Sequence, residues 1–472
     1  MKKSAKYLAI ATLAMCGVSA SAQSLSSGYF LEGYTFRHQM NPAFAPETNF
    51  VSIPVLGNMN IGTTGNVGLG SFLYPYGGNG QLTTFMNSSI SAEEFLGDLK
   101  DKNRINANLN LTLFSMGLKK WGGFNTIEIG LRSTTNMCLP YELFEFMKMG
   151  QVGDKTTYHI NDLAIKSQTY GEIAFGHSRQ LNDKLRVGAK VKFLLGGIYA
   201  DIRMNDMTAT LGTDKWELQA NGEMNAAMKG LILPTKGETG SEVSQDSQKS
   251  LVDWGEMDVD GPGLNGFGMA FDFGATYQLL DNLTLSASLK DLGFLKYKNN
   301  IKGRTQNSPW EFRGFQNIAV DSELGDDDPM SINSQLDRLG KEVEDYANFH
   351  RESVGGSVGT ALAATLCLGA EYQMPFYDKL SAGFLSTTSF RGPFTYSEGR
   401  LSANVAPVKW FEAGLNYSLS TFGSSWGWIL NFHPNGFGFF IGMDQVVGKV
   451  SKQFIPINNM NMNISLGMNV LF

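Results

Sequence analysis

The sequence predicts an all-β chain: an antiparallel transmembrane β-barrel of about 14–18 strands, with a few short helices and a candidate N-terminal plug. Three observations carry this expectation. The chain opens on a secretory leader, its later segments alternate apolar and polar residues at strand period, and after the leader no apolar run has the length of a membrane helix.

The leader occupies residues 1–22. Lys2, Lys3 and Lys6 form a positive region, Tyr7 to Met15 is a short apolar run, and Ala20-Ser21-Ala22 precedes Gln23 with the small-x-small pattern of a cleavage site. That run falls short of the ~20 apolar residues a spanning helix needs. Leu13-Ala14-Met15-Cys16 has the outline of a lipoprotein site, but Met15 is too large for the small residue required there. The expected organisation is a cleaved signal peptide (1–22), an N-terminal segment (23–49), and a barrel (50–472) with insertions at 230–262 and 299–352. The expected location is the outer membrane.

Composition agrees with a membrane barrel. Charged residues are 17% of the 472, aromatics 12%, and there are 54 glycines; soluble domains average ~25% charged. The net charge of −6 and the absence of a basic stripe argue against a nucleic-acid partner. Cys138 and Cys367, the cysteines beyond the leader, are expected to be packing residues rather than a disulfide framework.

The last strand is the clearest. Met462, Ile464, Leu466, Met468, Val470 and Phe472 alternate with Asn463, Ser465, Gly467, Asn469 and Leu471. Successive side chains of a strand point to opposite faces, so one face is apolar throughout. Phe267 to Leu279 and Leu283 to Leu289 repeat the pattern around Asp281-Asn282, as a hairpin would. Leu185 to Leu195, Phe411 to Leu419, Trp426 to Phe432 and Phe437 to Met443 repeat it again. Weaker alternation runs near 103–118, 124–136, 155–180, 201–220, 357–374 and 379–406. The clearest runs exceed the ~5–6 residues of ordinary strands and suit a tilted bilayer crossing. Trp410, Tyr417, Trp426 and Trp428 fall near strand ends, where interfacial girdles lie.

Several segments interrupt the alternation. Residues 23–49 show no strand period. Ser91 and Glu94 have capping-box spacing, which predicts a helix over 91–101. Pro140 at a first helical position and Gly150 as the stop predict a second, 140–149, apolar nearly all round and so in need of cover from the lumen or the membrane interface. Residues 230–262 read as a polar loop. Within 299–352 the acidic Gly325-Asp326-Asp327-Asp328-Pro329 precedes a helix with Ile332, Leu336, Leu339, Val343 and Tyr346 on one stripe. Both insertions are expected to be outer loops, with a helix folded over the pore as the alternative.

Asn41-Pro42-Ala43-Phe44-Ala45-Pro46 is similar to the Asn-Pro-Ala motif at the start of FadL-like long-chain fatty acid transporters, whose N-terminal segment forms a hatch in the barrel. The wider layout, from this motif to Leu139-Pro140-x-x-Leu143-Phe144-x-Phe146, resembles an uncharacterised Bacteroidota outer-membrane family, a domain of unknown function. The closing strand, with Met468, Val470 and terminal Phe472, resembles the signal that outer-membrane barrels present to their assembly machinery. The first resemblance implies that Asn41, Pro42, Ala43 and Phe44 sit in the lumen as a hatch. Residue chemistry alone leaves another reading open: Pro42 and Pro46 keep the segment out of regular structure, and Asn41 caps a turn.

Catalysis finds little footing, and no enzyme, cofactor or metal is expected. His38, His159, His177, His350 and His433 lack metal-pair spacing. His177 and Ser178, adjacent on a strand, point to opposite faces. Gly442 to Lys449 misses the phosphate-loop spacing and hydroxyl, and Asp321 to Asp328 lacks a calcium-loop pattern. The charges expected to face the lumen are Arg186, Lys190, Lys192, Asp272, Lys290, Glu412 and Asp444. A ladder of Arg186, Lys190 and Lys192 would favour anionic cargo. The leading functional expectation is transport of hydrophobic or amphiphilic small molecules past the hatch, through an apolar pocket between 23–49, the 140–149 helix and the wall. The alternative is a scaffold barrel that anchors secretion or cell-surface partners; an outer-membrane enzyme ranks third.

Overall fold

The computed structural model describes residues 25–46, 48–76, 81–150, 155–243, 245–315, 331–446 and 461–472. The leader and the acidic stretch 325–329 lie outside the described residues. Nineteen hydrogen-bonded segments form one sheet. Several are collinear, so they fill fourteen positions around a closed antiparallel barrel.

In chain order the staves are β1 (Phe50–Ser52 and Asn58–Gly65), β2 (Lys102–Lys120), β3 (Gly123–Pro140), β4 (Leu163–Gln180) and β5 (Leu185–Leu211). Next come β6 (Trp216–Ala227 and Gly266–Leu280), β7 (Leu283–Arg304), β8 (His350–Ala361 and Thr365–Gln373) and β9 (Leu380–Ser389). The last five are β10 (Tyr396–Val408), β11 (Phe411–Ser420), β12 (Gly423–Phe432), β13 (Gly438–Met443) and β14 (Met462–Leu471). The wall closes where β14 pairs with β1, through Phe50 with Leu471 and Ile61 with Ile464.

The alternation has become an inside-out distribution. Asn60, Asn108, Glu128, Lys190, Asp272, Lys290, Asn416, Asn463 and Ser465 are buried, whereas Ile61, Phe175, Phe271, Phe273, Leu401, Leu415 and Ile464 are exposed. A water-soluble sheet would reverse this; an apolar band outside and polar residues inside is the distribution expected of a membrane barrel. Short turns close one end, such as Trp121-Gly122 with φ of +55° and +71°, the left-handed pair that a two-residue hairpin requires. Exposed Trp121, Phe376, Tyr377 and Trp410 ring that end. Longer connections close the other.

The barrel is not equally tall all round. β5 runs 27 residues and β13 only 6, against the ~9–11 that cross a bilayer. Gly196-Gly197 lies where β5 changes partner, from the second half of β6 to the first. The 230–262 insertion, expected as an outer loop, interrupts a single stave. The chain leaves one stave at Ala227 and resumes the same stave, in the same direction, at Gly266. Asn265 closes the gap in the ladder: its N–H donates to Gly196 O at 2.6 Å, its carbonyl accepts from the Lys298 N–H at 2.7 Å, and its side chain bonds Lys298 O and the Asn299 amide, each at 2.7 Å.

Four α-helices occur among the described residues; one is the single turn Lys236–Thr239, and the three longer ones lie with the longer connections. α1 (Ala92–Gly97) is shorter than expected, with the Ser91 hydroxyl accepting from Glu94 N–H. Pro140 is the N-cap of α2 (Tyr141–Met149), one residue before the predicted position. The cover α2 needs comes from Val67, Tyr74, Ile90 and Phe95 around Phe144, and from Tyr158 against Phe146, rather than from the lumen or the membrane interface. α3 (Ile332–Ala347) packs Val343 and Tyr346 on Met204, Ala209 and Leu218, at the ends of the tall staves. Of the expected stripe, Leu336 is exposed and Tyr346 is buried.

Candidate functional site

Residues 25–46 lie inside the barrel, packed against part of its wall. Their two single-turn helical segments, Ser26–Gly28 and Thr35–Gln39, place Leu25, Tyr29, Phe30, Tyr34, Phe36, Met40 and Phe44 in one buried cluster with Cys367, Leu385, Ile429 and Phe440 of the wall. Edge-to-face contacts hold the rings, Tyr29 to Phe44 at 5.0 Å and Tyr34 to Phe440 at 4.8 Å. The Arg37 guanidinium lies 4.0 Å over the Phe44 ring. Aperiodic in sequence, the segment is thus apolar toward a few inward-facing residues of β8, β9, β12 and β13.

Its backbone is held by wall carboxylates. Asp444 accepts from the N–H groups of Ser26 at 2.8 Å and Ser27 at 2.6 Å, and from the Ser27 hydroxyl at 2.6 Å. Glu412 accepts from Gly33 N–H at 2.9 Å. Glu128 accepts from the Gln39 amide at 2.7 Å and pairs with Lys190. On the far side, the Ser288 hydroxyl donates to Met40 O at 2.8 Å. Backbone N–H groups taken from water must find such acceptors.

The Asn41-Pro42-Ala43 turn sits against two glycines. Gly188 of β5 and Gly274 of β6 are cross-strand partners. A Cβ on Gly188 would stand 2.2 Å from Pro42 O, and one on Gly274 2.0 Å from Asn41 Oδ1. The missing side chains make the hollow that admits the turn. Asn41 accepts from Ala43 N–H at 2.9 Å and donates to Ala275 O and Ala287 O, each at 3.3 Å. Phe44 packs on Tyr29.

Beyond the plug lies a cavity of about 340 Å³. Gln39 forms part of its floor. The β9–β10 connection folds inward across it: Arg391 donates to Asn136 of β3 at 3.1 Å, and Phe394 buries against Cys138 and Ala164. The expected apolar pocket is not what the structure contains here. The lining includes Asn108, Arg132, Lys166, Lys192, Lys290 and Arg391, and no residue of α2. Inward-facing positions of a water-exposed barrel are polar, and α2 lies too far along the tall side to reach.

The Arg186–Lys190–Lys192 ladder does not act as a unit. Lys190 is neutralised by Glu128, and Lys192 by Asp272 at 2.8 Å and Asp291 at 2.6 Å. Arg186, nearer the short turns, reaches Ser178 at 3.5 Å and Gln180 at 3.4 Å. Glu412 and Asp444 touch the plug. Sequence reasoning missed Glu128, Lys166, Asn108, Arg391 and the Gly188–Gly274 pair; two lumen-facing glycines amid alternating polar residues were the available signal. Cys138 and Cys367 are buried and unpaired. Met468, Val470 and Phe472 belong to the outward face of β14 or its end, with Val470 and Phe472 exposed. Among the described residues no group of three or more His, Cys, Asp or Glu side chains could hold a metal.

Residues 42–444 match the family described as "Family of unknown function (DUF5723)". The chain belongs to this family. In this DUF5723 member the matched span runs from Pro42 of the docked turn to Asp444, which holds the start of the plug. No curated protein sequence matches the chain. Among solved structures, it is similar to the Ralstonia pickettii toluene transporter TbuX, at 11% identity over 95% of this chain and 99% of that one, with a TM-score of 0.44. It is also similar to the P. putida toluene transporter TodX, at 9% identity over 91% of each chain and a TM-score of 0.38. A Pseudomonas aeruginosa FadL homologue has 10% identity over 96% and 98%, with a TM-score of 0.34. These likenesses carry no argument about cargo.

Proposed function

We propose that this chain is an outer-membrane transport barrel, closed at rest by its own residues 25–46 and opened when that segment moves. The observation that supports this most is the way the plug is attached. It is an N-terminal segment held by side-chain carboxylates, hydroxyls and an apolar cluster, and it is not a strand of the wall. Such contacts can be exchanged for water and remade without breaking the barrel ladder. The polar cavity above it moves the expected cargo from hydrophobic toward amphiphilic or polar small molecules. Asn41, Pro42, Ala43 and Phe44 are read as the seat of the hatch. The outward, aromatic end of β14 is read as the contact for the assembly machinery, after export by a cleaved leader, and the exposed apolar band as the contact with outer-membrane lipid.

A scaffold role is the second reading, and the uneven wall favours it. β5 and the first halves of β6 and β8 run well past a membrane-spanning length, and they carry α3 and the 228–265 excursion as a platform. Proteoliposome swelling separates the two. Deleting residues 23–49 should raise solute flux if the segment is a hatch; unchanged zero flux in the deletion, with stoichiometric partners co-purifying, would support the scaffold.

A further inference from the structure

Cation and carboxylate do not balance around the lumen cavity. Six cations line it: Arg132, Lys166, Lys192, Arg203, Lys290 and Arg391. Three are answered. Arg132 lies 3.3 Å from Glu172, Lys192 is held by Asp272 and Asp291, and Arg203 is bidentate to Asp201 at 2.6 and 2.8 Å. Among the described residues, Lys166, Lys290 and Arg391 have no carboxylate within 4.0 Å.

The hydrogen bonds of these three go to neutral groups, and Asp201 and Asp291 act on them only from beyond that distance. Lys166 donates to Thr360 Oγ1 at 3.0 Å, Lys290 to Gln39 O at 3.3 Å, and Arg391 to Ser389 Oγ at 3.0 Å and Asn136 Oδ1 at 3.1 Å. Lys290 is only 5% exposed. A buried cation with no counter-charge in contact is costly unless something supplies one. Two side-chain amides add to the imbalance. Asn108, 2% exposed, and Gln168 line the same cavity; among the described residues the Asn108 amide, both Nδ2 and Oδ1, makes no hydrogen bond, and the Gln168 Nε2 has Tyr297 as its only neighbouring oxygen partner. The lining therefore offers several convergent donors, a net positive field and low-dielectric walls that focus it.

We propose that this cavity binds a small oxyanion, the carboxylate or phosphate group of a polar solute, with Lys166, Lys290 and Arg391 as its charge partners and Asn108 and Gln168 as neutral donors. The volume of about 340 Å³ is at the small end of ligand sites, which fits a compact solute and excludes a long acyl chain lying wholly inside. The inference deepens the transport reading by naming a cargo chemistry, and it rests on that reading only for what happens after binding.

The test is equilibrium binding of succinate and of inorganic phosphate, separately, to the full chain purified in detergent, at fixed ionic strength with chloride as control. Saturable binding of either probe over chloride is expected, and the tighter one names the source of the oxyanion. K166Q and R391Q should each weaken it about tenfold, equivalent to about 1.4 kcal/mol. Arg391 also ties the β9–β10 connection to Asn136, so K166Q, with an unchanged melting temperature, is the decisive variant. Binding no stronger than chloride, or unaltered by K166Q, overturns the proposal. Because no flux is measured, that result would leave a hatch that opens on deletion standing, and failure of the swelling assay would leave this site standing.

Discussion

The Nζ of Lys290 donates to the backbone carbonyl of Gln39 at 3.3 Å, so one side chain of β7 both lines the lumen cavity and holds the plug that floors it. Gln39 is in turn bound by Glu128 and Thr112 through its amide nitrogen and by Asn58 through its amide oxygen. Cavity and plug thus share a residue, and what fills one bears on how firmly the other is seated.

Removing that link loosens the plug without opening the wall. K290M leaves Gln39 O without this donor, a long charge-assisted bond worth about 1.5 kcal/mol. Hydrogen exchange in residues 25–46 should accelerate roughly tenfold while the β2–β3 and β4–β5 ladders keep their protection. Equal acceleration throughout would mean that Lys290 holds the barrel as a whole.

The hollow at Gly188 and Gly274 gives a steric test. G188V puts a branched side chain where Pro42 O lies 2.2 Å from the Cβ position, and a strand accepts valine readily. The barrel should still fold and stay resistant to detergent, with the Asn41-Pro42-Ala43 turn displaced and solute flux raised toward that of the 23–49 deletion. Wild-type flux with a seated plug would show that the turn does not need the hollow.

Plug seating should weaken in acid. Burial lowers the His38 imidazole from 6.5 to about 4; Glu128, 3.9 Å away, opposes this and Lys190 adds to it. Phe36 and Phe50 rings flank the imidazole. Seated His38 is therefore neutral where a released one takes up a proton. This contribution to seating is intact above the ordinary value and is lost as pH falls from about 6.5 toward about 4. Flux or plug exchange should rise between about pH 7 and about pH 5, and H38F should flatten that rise. A slope unchanged in H38F would assign the acid response to the wall carboxylates.

The gap in β6 makes Asn265 a stability residue. N265A keeps the two backbone bonds but loses the side-chain bonds to Lys298 O and the Asn299 amide, at a cost of about 1–3 kcal/mol. The melting temperature should drop, and proteolysis within 228–265 should quicken. An unchanged melting temperature would mean that the backbone bonds alone close the gap.

The wall was legible because a strand needs only a two-residue period, and Met462–Phe472 or Leu283–Leu289 shows it within one segment. The interrupted stave was not. Trp216–Ala227 and Gly266–Leu280 alternate as two strands do, and only their shared neighbours, β5 and β7, reveal them as one. The N-terminal segment was expected in the lumen only through its Asn-Pro-Ala resemblance, and its packing escaped for a related reason: Tyr29, Tyr34 and Phe36 have no period because they pack inside a curved wall rather than along a flat sheet. Lys190 and Lys192 could be placed on one face, but their neutralisation by Glu128 and Asp272 depends on register between strands. Arg391 comes from a connection and Lys166 from another stave, so their convergence on one cavity exists only in three dimensions.

Single-channel recording in planar bilayers tests the central claim, that residues 25–46 close the lumen and wall carboxylates hold them there. The full chain should be closed for most of the record, the 23–49 deletion open, and the E412Q/D444N double variant should open often to the level of the deletion. A deletion and a double variant both as closed as the full chain would contradict it.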